Sequence, residues 1–139
     1  MIRKSLLILV LFTTVAFAQG IRWERSVQAA IVKGKKLNKP VMLVVSKDGC
    51  RWCVRFDDTT LQDKRVVDFV NKNYIAVEAY LSRNEVPYRF VTGGTPSTWF
   101  IKDGEPMFQP LAGAYPADQF LEALKIALDE YKKLPKEKK

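Results

Sequence analysis

The chain is 139 residues long, which suits a single small domain with a core of its own. Its 47% hydrophobic and 27% charged residues exclude wholesale disorder and a multi-span membrane protein. It has no histidine, which removes Ser-His-Asp and Cys-His catalysis and imidazole metal ligation, and its formal net charge is +8.

The N-terminus reads as an export signal over residues 1–18. Arg3 and Lys4 form a positive start, Leu6 to Ala18 an apolar run, and Ala16-Phe17-Ala18 a small-x-small cleavage site with Gln19 as the mature start. The apolar run is shorter than the roughly 20 residues a membrane span requires, so the expectation is a cleaved leader with no stable insertion afterwards. Export implies an oxidising compartment, expected to be a bacterial periplasm. It also argues against a nucleic-acid partner for the positive charge: the lysines are scattered (Lys33, Lys35, Lys36, Lys39) or gathered at the C-terminus, as on solvated faces.

Trp23, Val27, Ala30, Ile31 and Gly34 recur at helical spacing and predict an amphipathic helix over about 21–36, stopped by Asn38-Lys39-Pro40. The run 41-VMLVV-45 is apolar at every position, as in a strand covered on both faces. A helix is expected from about Cys50 to Leu61, and a second helical stretch carries Val66, Val67 and Val70 to the strand 74-YIAVEAY-80. A loop with one helical turn around 85–91 leads to 93-GGTP-96. Two strands, 97–101 and about 106–112, flank the hairpin signal Lys102-Asp103-Gly104-Glu105. Pro116 opens a last helix with Phe120, Leu124, Ala127, Leu128 and Tyr131 on one face. The order is that of a three-layer α/β arrangement: a domain over 19–134, then a disordered basic tail over 135–139.

Both cysteines lie in 46-SKDGCRWCVRF-56. Haem attachment needs histidine directly after the second cysteine, where Val54 stands. Structural zinc needs four ligands, and copper(I) is disfavoured because Met42 lies in the strand. Two readings stay open: an inert staple, which across so short a loop removes little unfolded-state entropy, and a redox pair. For the second, Cys50 follows a strand and a turn and should occupy a helix N-cap. There, free N–H groups, the helix dipole and neighbouring Arg51 all favour thiolate. Cys53 falls one turn deeper, as the resolving sulfur.

Strand-CxxC-helix, the later Gly94-Thr95-Pro96, the hairpin and the last helix together resemble the thioredoxin fold. Trp23 to Pro40 is similar to the front of exported thioredoxin-like proteins, including periplasmic thiol:disulfide reductases. The resemblance implies a single thioredoxin fold, three-layer α/β/α, with a central mixed sheet of about four strands. It implies a catalytic pair Cys50 and Cys53, and Pro96 as a cis-proline facing them. Thr95 would present backbone groups to an extended substrate strand, and Arg51 and Trp52 would be further partner contacts. No dissociable cofactor or metal is expected. Partners would be cysteine-containing exported proteins and a membrane electron donor, with the reductase direction favoured over the oxidase one. A peptide-binding or chaperone-like module with a structural Cys50–Cys53 bond is the alternative. Two departures bear on electron transfer. Thioredoxin has a tryptophan before its first cysteine, here Gly49, and a buried carboxylate six residues before it, here Val44. Asp57 and Glu78 are the substitutes at hand, although the sequence reads both as ordinary surface or supporting acids.

Overall fold

The computed structural model describes residues 20–135. The expected leader over 1–18, its cleavage point at Gln19, and tail residues 136–139 lie outside them.

The sheet order is β1 (Trp23–Glu24), β3 (Ile75–Tyr80), β2 (Val41–Ser46), β4 (Ser97–Lys102) and β5 (Glu105–Pro106), with β6 (Leu111–Ala112) also on β4. The centre is β2 (Val41–Ser46), parallel to β3 (Ile75–Tyr80) and antiparallel to β4 (Ser97–Lys102). All six residues of β2 are buried, as expected of a strand with helices on both faces. The sheet is mixed, as expected, but six-stranded rather than about four. The additional strands are two-residue pieces at its edges, too short to leave a periodic signal.

Further sequence expectations need correction. The helix over 21–36 begins only at Val27: Trp23–Glu24 form β1, parallel to β3, and α1 runs Val27–Leu37. Ser26 caps it, its hydroxyl accepting from Ala29 N at 3.1 Å. Trp23 matched the helical spacing while belonging to an extended segment. The strand over 106–112 is broken into β5 (Glu105–Pro106) and β6 (Leu111–Ala112). Pro106 and Pro110 have no N–H to give a ladder, so residues 107–110 leave the sheet after Met107 N donates to Phe100 O. The turn before β5 is the expected hairpin, with positive φ at Asp103 and Gly104.

Helix α2 (Arg51–Asp58) ends before the expected Leu61, and a 3-10 turn at Thr60–Gln62 leads into α3 (Lys64–Asn73). Short 3-10 turns at Leu81–Arg83 and Tyr88–Phe90 precede β4, and α4 (Ala117–Lys133) closes the domain. Alternate residues of β2 and β3 feed two cores. Met42, Val44 and Ala76 meet Phe56, Val66, Val70, Phe120 and Leu124 on the α2–α3–α4 side, where Phe56 and Phe120 stack edge to face at 5.1 Å. Val41, Leu43, Val45, Ile75, Val77 and Ala79 meet Val27, Ala30, Phe90 and Trp99 on the α1 side. Gly34 allows that second contact. A Cβ there would stand 2.9 Å from Lys39 O and 3.0 Å from Val41 Cγ2.

Both ends of the described chain are tied down where β2 and β3 begin. Asn71 Nδ2 donates to Gly20 O at 3.0 Å, and Lys102 Nζ donates to Leu134 O at 3.1 Å.

Candidate active site

The C-terminal end of β2 delivers the chain to Lys47-Asp48-Gly49 and then to α2. Gly49 has φ +74, a conformation that costs a residue with a Cβ, so glycine here is dictated by the turn. The turn is also clamped. Arg83 donates twice to the Asp48 carboxylate, at 3.0 and 2.6 Å, and Ser82 Oγ donates to it at 2.7 Å while accepting from Asp48 N. These contacts hold Asp48 below the usual carboxylate range, with the Arg83 hydrogen bond leading.

Cys50 is the N-cap of α2 and Cys53 lies in its first turn, joined to it as a disulfide. Cys53 N donates to Cys50 Sγ at 3.2 Å, so the first sulfur sits among the unpaired amides of the helix start. Cys50 is half-buried and Cys53 only 3% exposed. That asymmetry matches a reachable sulfur backed by a shielded one.

The Thr95–Pro96 peptide is cis, as the resemblance implies. Thr95 Oγ1 donates to Cys50 Sγ at 3.3 Å, and Thr95 O lies 3.5 Å from the same sulfur. Thr95 and Pro96 also line an open groove of about 550 Å³ with Gly93, Gly94, Pro110 and Gly113. Trp52 is 56% exposed, beside Arg55, whose guanidinium carbon is 5.8 Å from the ring centroid, and Arg51 is exposed. Trp99 is core, its indole N–H donating to Phe90 O at 2.9 Å. The structure therefore gathers Cys50, Cys53, Thr95 and Pro96 and leaves Arg51 and Trp52 on the adjoining surface.

The sequence names Asp57 and Glu78 singly but does not show that they pair. Val44 and Glu78 are register partners in a parallel pair, so Glu78 shares the sheet face with the position where thioredoxin has its carboxylate. Asp57 is four residues after Cys53 on α2, one turn along the same helix face. The two carboxyls meet. Asp57 is pushed up to about 7, first by burial and then by the negative charges of Glu78 and Asp58, and it shares a hydrogen bond with Glu78. Burial also raises Glu78, against the pull of the Tyr80 hydroxyl, which donates to Glu78 Oε1 at 3.2 Å. Arg83 stacks over the Tyr80 ring at 3.9 Å and so ties this cluster to the Asp48 clamp. Asp57 and Glu78 are partly buried partners rather than ordinary surface acids. A lone glutamate inside the apolar strand 75-IAVEAY-80 was the available signal.

A mixed sheet with helices on both sides, carrying a CxxC disulfide at a helix start opposite a cis-proline, is the architecture of a CxxC thiol:disulfide oxidoreductase. The chain belongs to the thioredoxin-like domain family, whose model matches residues 27–128. It is 28% identical over 127 residues to disulfide bond reductase DsbH of Chlamydia pneumoniae, covering 78% of this chain and 76% of that protein. A solved DsbH oxidoreductase superposes with a TM-score of 0.66 at 24% identity, covering 79% of this chain and 85% of that one. A match to rat spermatogenesis-associated protein 20, 31% identical over 67 residues, spans 48% of this chain but only 8% of that protein.

Proposed function

We propose that the protein acts outside the cytoplasm as a disulfide reductase of cysteine-containing proteins. The observation that carries this reading is the asymmetry of the pair: Cys50 at the helix start, within reach of Thr95, and Cys53 shielded one turn in. In the reduced protein the Cys50 thiolate attacks a substrate disulfide. This forms a mixed disulfide and releases one substrate thiolate, and Cys53 then displaces the second and closes the Cys50–Cys53 bond. Thr95 and Pro96 would hold the extended substrate strand, with Trp52 and Arg51 contacting its flanks. The chemistry uses only the two sulfurs and no dissociable cofactor. The reducing direction is supported by the similarity to disulfide bond reductase DsbH, and export by the leader pattern in residues 1–18. A reductase in an oxidising compartment must be recharged, so a membrane electron donor completes the reading.

The test is a titration of Cys50–Cys53 in glutathione buffers, paired with trapping. A potential between about −120 and −270 mV is that of a working oxidoreductase, and one below about −300 mV that of an inert staple in a peptide-binding module. The Cys53→Ser variant should accumulate mixed disulfides through Cys50 on non-reducing gels, and Cys50→Ser far fewer. Equal trapping by both would reverse or dissolve the assigned roles.

A further inference from the structure

Lysines that lie far apart in the sequence meet at the end of the sheet away from Cys50. A pocket of about 320 Å³ opens there, where β2 and β3 begin and β4 ends. Lys39, Lys72, Lys102 and Lys132 line it, and no carboxylate does. Two of the four are held by backbone carbonyls: Lys39 Nζ donates to Lys72 O at 3.0 Å and Lys102 Nζ to Leu134 O at 3.1 Å. None of the four forms an ion pair among the described residues, whereas Lys33, Lys64 and Lys133 each have a carboxylate partner. Helix dipoles account for Lys72 and Lys132, which stand in the last turns of α3 and α4. They do not account for Lys39 and Lys102, which lie outside any helix. A second observation is that leucines stand exposed among these charges. Leu37, 48% exposed, ends α1 next to Lys36, and Leu134, 40% exposed, follows Lys132 and Lys133 and lines the pocket. The chain also enters and leaves the fold here. The apolar run 6–18 precedes Gly20, whose carbonyl Asn71 holds, and Lys136, Lys138 and Lys139 follow Leu134 in the sequence.

We propose that this pole is a docking surface for a bilayer rich in anionic phospholipid. The lysine-lined pocket takes a phosphate headgroup, and Leu37 and Leu134 enter the boundary between headgroups and acyl chains. Basic side chains around exposed apolar ones suit that boundary, because the surface attracts cations while the layer beneath it removes leucine from water. The contact is peripheral: no helix among the described residues is long and apolar enough to cross a membrane. Few acids oppose it. Glu130 is paired with Lys133, and Asp103 and Asp129, the acids felt by Tyr131 and Tyr74, do not line the pocket. Docked in this way, the domain turns the Cys50 end of β2 away from the lipid and towards proteins in the aqueous phase. Charge and exposure carry the assignment, so it holds for either direction of disulfide exchange.

The experiment is sedimentation with vesicles of phosphatidylcholine alone or mixed with phosphatidylglycerol, using the chain from Gln19 to Lys139, which holds every described residue. Binding to the anionic vesicles should be at least about tenfold tighter, and the preference should fade as salt is raised and exposed charges are screened. Lys72→Gln with Lys132→Gln should bind about 25-fold more weakly, at about fivefold per charge removed, and the matching Glu pair more weakly still. Lys47→Gln with Lys64→Gln lowers the net charge equally away from the pocket and should stay within about twofold of the unaltered protein. Leu37→Ser with Leu134→Ser should weaken binding and leave its salt dependence unchanged. Equal binding to both kinds of vesicle overturns the proposal. So does an equal loss in the Lys47 and Lys64 variant, since that reports net charge alone. Calorimetric binding of inorganic pyrophosphate without any vesicle preference would replace the membrane with a free phosphate ligand. Once the pair is reduced, a polymer-borne maleimide should label Cys50 equally fast on anionic vesicles and in solution. Slower labelling on the vesicles would place the cysteines against the lipid and overturn the orientation.

Discussion

The two faces of the central strands are built from alternate residues of the same segments, yet they differ in kind. Towards α1, β2 and β3 present Val41, Leu43, Val45, Ile75, Val77 and Ala79, all apolar and buried. The one polar atom of the Trp99 ring there is satisfied by Phe90 O. Towards α2 the same strands present Met42, Val44 and Ala76, then turn polar at Ser46, Glu78 and Tyr80, at their C-terminal ends. One face is optimised for burial alone. The other gives up apolar packing at the end where β2 leads into the turn that carries Cys50 and Cys53.

Placing a charge on the closed face should break that contrast most forcefully. Val77→Glu buries a carboxylate at a position 0% exposed with no partner, and should cost about 4 kcal/mol or more in denaturant unfolding. A loss of under about 1 kcal/mol would mean that the faces are equally tolerant. The pH dependence of stability is a smaller effect. Asp57 binds its proton more tightly folded (about 7) than unfolded (near 3.8), so its contribution is complete below about pH 4 and lost as pH rises through 7. With allowance for partial exposure, the oxidised protein should lose about 1–2 kcal/mol across that window relative to Asp57→Asn. Parallel curves for the two proteins would refute the shift. Smaller again, Glu78→Leu should be neutral or stabilise by up to about 1 kcal/mol at pH 8, because it replaces a desolvated acid with an apolar side chain. A cost comparable to Val77→Glu would show that Glu78 is structural. Least of all, Arg83→Ala removes an exposed ion pair and should change the melting free energy by about 0.5 kcal/mol. Its sharper readout is faster amide exchange at Asp48 and Gly49, and unchanged exchange there would show that the clamp does not order the turn.

The contrast also separates what was legible in the sequence from what was not. The run 41-VMLVV-45, the amphipathic last helix and the hairpin at Asp103-Gly104 each carry a local pattern, and each is where the pattern puts it. Cys50 and Cys53 lie three residues apart, so their pairing needed no fold to be read. β1 escaped because two residues hold no period, and Trp23 happened to continue the helical spacing of α1. The break at 107–110 follows from Pro106 and Pro110, which withhold two N–H groups from the ladder. Asp57 and Glu78 meet only through the register of β2 on β3 and the packing of α2 over them, information that neither local stretch contains.

The ties at Gly20 and Leu134 carry a practical consequence. Both lie where the six-residue strands β2 and β3 begin, so at about 3.3 Å per residue they stand about 20 Å from the end that carries the cysteines. The domain therefore has a handle and a working tip at opposite poles. Coupled to a bead, a sensor chip or a host protein at Gly20 or Leu134, it would keep its disulfide turned outward and open to large substrates. Grafts at Asp48 or Gly113 would block the tip.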